Sequence, residues 1–120
     1  MEEQIFIRLD VDNVGDSIEL SLLNGNFNDA QLIHNKVQEN ISKISLEIES
    51  LQSAIILMKG SDDILFSINK SNYKIEFLEN LKNDFKTDSN FTLSIGVGQS
   101  IKESMFNLRI AKMSGKDKIV

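Results

Sequence analysis

At 120 residues, with 41% hydrophobic and 26% charged side chains, the chain has the composition of a folded protein with one core and no room for a second. Thirteen Lys and Arg against 18 Asp and Glu leave a formal charge of −5, which repels a long polyanion unless the basic residues cluster, but allows a small anionic ligand held by a few lysines. The absence of cysteine excludes disulfides, zinc–thiolate sites and a thiol nucleophile, in keeping with a reducing cytoplasm.

Residues 5–11, IFIRLDV, alternate, with Ile5, Ile7, Leu9 and Val11 on one face and Phe6, Arg8 and Asp10 on the other, as in a strand with one face on a core. In the following DNVGDSIELSLLNG, Asp12 or Asn13 is expected to cap a short helix that ends at Gly25, and capping is the favoured role of Asp12. From Phe27 to Leu51, apolar residues recur every three or four positions (Ala30, Ile33, Val37, Ile41, Ile44, Ile48, Leu51), predicting a long amphipathic helix. Two apolar runs, 54–59 and 63–69, meet through Gly60-Ser61 and read as an antiparallel hairpin of buried strands. NYKIEFLENLKNDF carries a helical stripe of Ile75, Leu78, Leu81 and Phe85, and FTLSIGVG (91–98) alternates again with Phe91, Leu93, Ile95 and Val97 inward. Ser100, with Glu103 three residues on, starts a helix running to about Met113, and Gly115 ends it before a last short strand, KIV. The order β-α-α-β-β-α-β-α-β predicts an α+β fold, a mainly antiparallel sheet with helices on one face. The longest apolar run, AIILM, is far short of the ~20 residues of a membrane span, and no signal-like segment opens the chain. A domain that is neither secreted nor inserted is the expectation.

In a split β-α-β-β-α-β arrangement the first strand lies in the sheet centre beside the hairpin. The strand end at Asp10 then lies near the hairpin tip at Asp62 and Asp63, and alternation puts Asp10 and Asp63 on the face that the helices leave open. Asp in a Gly-Ser-Asp turn needs no function by itself. Three converging carboxylates, however, repel one another unless protonated or bound to a cation, and oxygen donors without His or Cys select Mg²⁺ or Mn²⁺. Two such ions ~3.5–4 Å apart serve phosphoryl transfer. Arg109, Lys112 and Lys116 suit a helix C-terminus and equally a triphosphate. His34 reads as a solvated residue, Tyr73 as a helix anchor, and Met58, Met105 and Met113 as core filler.

FIRLDVDNVGDSIE, GSDDILF and TLSIGVGQSIKESMFNLRIAKMSGKDKIV together resemble the nucleotidyl-cyclase palm domains. The relatives are the GG(D/E)EF diguanylate cyclases, the GGDD palm of the type III CRISPR polymerase subunit and, above all, the minimal CRISPR polymerase (mCpol) family. The resemblance spans nearly the whole chain as one ferredoxin-like palm, 1–120. It implies Asp10, with Asp62 and Asp63, as catalytic metal ligands for two Mg²⁺ or Mn²⁺ ions, with the Val11 carbonyl as a further ligand. It also implies Lys112 and Lys116, in the A-K-x-x-G-(K/R) segment, as triphosphate-binding residues. Asn13, Gly15, Asp16, Gly60 and Ser61 occupy the positions that lie against the nucleotide in such folds. Ser61 stands where the signature has its second glycine, a position at which the missing side chain lets backbone approach phosphate.

The resemblance further implies two facing protomers that join nucleoside triphosphates into a cyclic dinucleotide. In mCpol this is a mixed-linkage cyclic diadenylate for antiphage signalling, sensed by a separate membrane-anchored effector, with no nucleic-acid or membrane contact by the palm itself. The rival readings are a non-catalytic nucleotide- or cyclic-dinucleotide-binding palm, a template-directed polymerase, for which length and charge are wanting, and a plain structural ferredoxin-like domain.

Overall fold

The structure, a computed structural model, describes residues 2–120. Strand β1 (Gln4–Val11) leads into helices α1 (Val14–Leu23) and α2 (Phe27–Glu49), then the hairpin β2 (Ile55–Lys59) and β3 (Asp63–Asn69). After a 3-10 turn at Lys70–Asn72 come α3 (Ile75–Ser89), β4 (Leu93–Gly98) and α4 (Ile101–Met113). The four strands form one antiparallel sheet in the order β2-β3-β1-β4, so β1 is central and beside the hairpin, as expected for this α+β class. The predicted last strand is a single parallel bridge, Ile119 to Ile95.

Alternation along β1 decides what each sheet face does. Ile5, Ile7, Leu9 and Val11 are buried with Ile64, Phe66, Ile68, Leu93 and Ile95, under Val37, Ile41, Ile44 and Ile48 of α2 and Leu78, Leu81 and Phe85 of α3. Of the predicted α3 stripe, Ile75 alone is exposed, because it sits at the first helical position, before the turn that faces the sheet. Strand β2 departs from the expectation of burial: Ile55, Leu57 and Met58 are exposed, since β2 is an edge strand with a register irregularity between Ile56 and Met58. Met58, Met105 and Met113 are likewise exposed rather than core filler, each lying on the outer side of an edge strand or of α4. Tyr73 packs, half-buried, against the core beside α3, as an anchor would.

Helix α4 also departs from the expected arrangement, in which all helices share one face. The register pairs Phe6 with Gly98, Arg8 with Gly96 and Asp10 with Ser94 on the face opposite the α2–α3 core. A Cβ at Gly96 would collide there with the backbone of Ser104 and Leu108, and one at Gly98 would lie 2.6 Å from Ser104 N. Helix α4 therefore crosses the second face over β4 and β1, with Ser104 and Ala111 buried and the backbone of Ser104 and Leu108 close against the strand glycines. Ser100 caps α4 by accepting from Glu103 N at 3.0 Å, while Glu103 Oε1 accepts from Gln99 N at 3.1 Å.

The expected cap at the start of α1 is absent. Asn13 holds the cap position in a left-handed conformation (φ 64°) without a side-chain bond to the helix. The Asp12 side chain turns inward instead, fully buried. It accepts from Thr92 Oγ1 (2.6 Å), Ser94 Oγ (2.7 Å), Lys112 Nζ (2.7 Å) and Asp117 N (3.1 Å). Burial pushes this carboxyl up, but the four donors outweigh it and hold it below the ordinary carboxylate range. One carboxylate thus ties β1, β4, α4 and the C-terminal loop together.

Two stability measurements follow from this packing. Gly96→Ala should cost about 1–3 kcal/mol in chemical denaturation, the usual range for overpacking against backbone that cannot yield; an unchanged midpoint would mean that α4 is not seated on the strand. Asp12→Asn removes one partner of a buried ion pair and should cost about 3 kcal/mol, the low end of that class, because Val11 O and Asp10 remain near Lys112. Since folding depresses the Asp12 pKa, its contribution is present at neutral pH and lost as pH falls through the depressed folded value. The melting temperature of Asp12→Asn should therefore fall less steeply in acid than that of the natural protein, and parallel slopes would refute the assignment.

Candidate active site

At the β1 end beside the hairpin tip, the register pairs Asp10 directly with Asp63, both on the α4 face. The Asp62 carbonyl accepts from Val11 N at 2.9 Å, and Asp62 lines a cavity beside the hairpin tip while its charge acts on Asp10. That cavity, about 180 Å³, lies between the start of α1, the middle of α2 and the hairpin tip, and is lined by Val14, Gly15, Ile18, His34, Val37, Gln38, Ser61 and Asp62.

The charges around Asp10 are only partly balanced. Burial pushes its carboxyl up, Lys112 draws it down, the neighbouring charges of Asp62 and Asp63 raise it further, and Arg8 opposes them. Lys112 Nζ lies 3.6 Å from Asp10 Oδ1 and also donates to the Val11 carbonyl at 3.2 Å. The guanidinium of Arg8, on the same face, pairs with Asp63 Oδ2 through Nη2.

The expected convergence of three carboxylates is therefore incomplete. Among the described residues no group of three His, Cys, Asp or Glu side chains is arranged to hold a metal, and Asp63 and Asp10 are instead paired with Arg8 and Lys112. The donor chemistry itself fits a hard divalent cation: aspartate oxygens with a shared negative charge that Arg8 and Lys112 balance only in part.

The remaining expected residues are distributed as follows. Lys112 is bound beneath the carboxylates rather than held out to solvent, whereas Lys116 donates to Asn13 Oδ1 at 2.5 Å, joining the C-terminal loop to the start of α1. Gly15 and Asp16 are exposed on the first turn of α1, and a Cβ at Gly15 would meet nothing within 4 Å. A Cβ at Gly60 would meet the Asp63 carboxylate, so a side chain there would displace that group from its present position. Ser61 is exposed, with its carbonyl accepting from Gln38 Nε2. Arg109 is exposed on the outer part of α4 and does not reach the group.

Sequence reasoning does not single out Arg8 and Gln38, which stand at the candidate site, while His34 is exposed, as a solvated residue would be, and also lines the cavity. Arg8 has the same strand parity as Asp10 and Asp63, a signal visible in the alternation of IFIRLDV. His34 and Gln38, one helical turn apart, both line the cavity, but only the placement of the hairpin tip against α2 reveals this. No helix among the described residues is long and apolar enough to cross a membrane.

Known proteins place this arrangement. Over 98% of its length the chain superposes on 20% of a chain in the Csm1–Csm4 cassette in complex with one ATP, with TM-score 0.66 and 15% identity. The GGDEF domain of DgcB from Caulobacter crescentus, in complex with c-di-GMP, matches 98% of this chain over 74% of its own, with TM-score 0.65 and 13% identity. The diguanylate cyclase SiaD from Pseudomonas aeruginosa, in complex with its activator SiaC, matches 99% of this chain over 50% of its own, with TM-score 0.62 and 15% identity. At such identities these structures establish the shared palm fold, and the chain spans half of SiaD and a fifth of the Csm1–Csm4 chain. No curated protein matches the sequence. The minimal CRISPR polymerase domain matches residues 6–120, and with that match over nearly its full length the chain belongs to the mCpol family.

Proposed function

We propose that this palm is a cyclic dinucleotide synthase that joins two molecules of ATP, across a homodimer, into a cyclic diadenylate. The observation that carries the proposal is the pairing of Asp10 with Asp63 at the end of β1, next to a hairpin tip whose Ser61 and Asp62 line a cavity together with Gly15. Acidic groups suited to hard cations stand at the hairpin tip next to that cavity, and Lys116, bound to Asn13 at the start of α1, supplies a cation for phosphate.

In this reading Asp10, Asp62, Asp63 and the Val11 carbonyl hold two Mg²⁺ or Mn²⁺ ions, which would supply activation of the attacking hydroxyl and stabilisation of the leaving phosphate oxygen. Lys112, already among the carboxylates, keeps their excess charge in check, and Lys116 with Asn13, Gly15 and Asp16 orients the triphosphate. The sugar hydroxyl of one nucleotide attacks the α-phosphorus of the other, forming a P–O bond as the bond to pyrophosphate breaks, and the proton leaves to solvent. No His or Cys is needed as a base.

One such site holds one nucleotide, so closing the ring requires a second protomer. The family relationship supports adenine as the base, mixed linkage, cytoplasmic antiphage signalling and a separate membrane-anchored effector as the reader of the product, without a role for nucleic acid or membrane at the palm.

Incubation of the protein with Mg²⁺ and each of the four ribonucleoside triphosphates, followed by chromatography with mass detection, tests this directly. ATP should yield a cyclic dinucleotide and pyrophosphate. Loss of several kcal/mol of metal-borne stabilisation in Asp10→Asn or Asp63→Asn should lower the rate by about 10³-fold or more. Nucleotide binding without any product would instead favour a non-catalytic palm, with Ser61 at the position of the signature's second glycine as the residue to explain.

A further inference from the structure

The ion pair between Arg8 and Asp63 is unusual in its form. An arginine that pairs with a carboxylate for structural purposes commonly does so through two parallel N–H bonds. Here Nη2 alone engages Asp63, and Nε of Arg8 is the buried side-chain polar atom left without a hydrogen bond among the described residues. A buried donor without a partner is rare in folded proteins and marks a group whose position serves something other than its own bonding. The side chain is only 19% exposed and stands on β1 between its register partners Leu65 and Gly96, on the same face as Asp10 and Asp63. Its charge sits two residues from Asp10 on the same side of the same strand, where it acts on that carboxyl as well.

We infer that Arg8 is an internal counter-cation that competes with a divalent ion for Asp63, so that the site takes up its metal together with a nucleotide rather than alone. This rests on the metal- and nucleotide-binding reading above and adds a positioning residue to it. A single-bonded guanidinium neutralises Asp63 well enough to keep the acidic face folded, yet gives the carboxylate up more readily than a two-bonded fork would. A lone divalent ion must displace it. An ion arriving with a triphosphate brings extra oxygen ligands that offset the displacement, and the coupling is reciprocal, so that metal and nucleotide each tighten the other.

The test is a titration of the whole chain with Mn²⁺, following free Mn²⁺ by electron paramagnetic resonance, with and without an ATP analogue whose α,β-bridge is methylene and which is not turned over. Arg8→Met should bind Mn²⁺ alone roughly tenfold more tightly than the natural protein, the scale of one charge-assisted hydrogen bond, and should gain less from the nucleotide. Arg8→Lys keeps the charge and should stay within about threefold of the natural protein. Lys59→Met, on the hairpin with its register partner Ile64 on the opposite sheet face, controls for net charge and should change little. If Arg8→Met does not melt cooperatively, Arg8→Gln takes its place in the same comparison. Unchanged or weaker Mn²⁺ binding by the neutral variant, or an equal gain in Lys59→Met, overturns the inference while leaving the proposed function standing. Absence of Mn²⁺ binding in every form, even with the nucleotide analogue, removes both.

Discussion

The buried carboxylate of Asp12 is the constraint on which the working end of this protein depends. Its donors come from the start of β4, the last turn of α4 and the loop after it. Ionised groups are tolerated in an interior only where the lone pairs are filled, and all four contacts here are donors of the right sign. Because Lys112 is both a donor to Asp12 and the neighbour of Asp10, the bond that closes the fold also delivers a positive charge to the site. Fold and site are joined through one ammonium group.

That economy sets the electrostatics of the acidic end. Asp10 carries a raised pKa because burial and two further carboxylates work against a single lysine and a single arginine. Arg8 answers Asp63 from the strand, and Lys112 answers Asp10 and Asp12 from the helix, so each cation reaches the group from a different layer of the structure. Seating α4 directly on Gly96 and Gly98 brings the helical lysine within reach, and the same absence of side chains at Gly60 gives Asp63 its space in the hairpin.

Much of this was legible in the chain of residues, and the illegible part has physical causes. Period-two alternation in IFIRLDV placed Asp10 on the same face as Asp63, and the spacing of Val37, Ile41, Ile44 and Ile48 identified the face of α2 that meets the sheet. Local patterns of this kind report which side of an element is apolar, but not which layer lies beyond it. Thus the second-face position of α4 was missed, although Gly96 and Gly98 alternate on the side opposite Ile95, and the exposure of Met58, Met105 and Met113 was missed with it. Asp12 was assigned to a cap because a local partner is the simplest use of an aspartate before a helix. Its actual partners lie up to 105 residues away, beyond any local signal. The Arg8 pairing could have been found from strand parity; the cavity between α2 and the hairpin tip could not, since no short motif encodes how two distant elements approach.

The central position of β1 has a bearing on how the protein comes into being. Strand β1 is flanked by β3 and β4, pairing as far along as Gly98, and Asp12, directly after it, finds its ammonium partner 100 residues downstream. Contacts of such sequence separation are slow to form, since loop closure must precede any gain from them. A chain emerging from the ribosome therefore holds Asp12 without Lys112 and Asp117, and β1 without its β4 neighbour, until the segments after α3 are available. A fragment that ends before α4 carries Asp10, Asp63 and Arg8 on β1 and β3 but lacks Lys112, so the charge balance of the acidic end is complete only once α4 has been made.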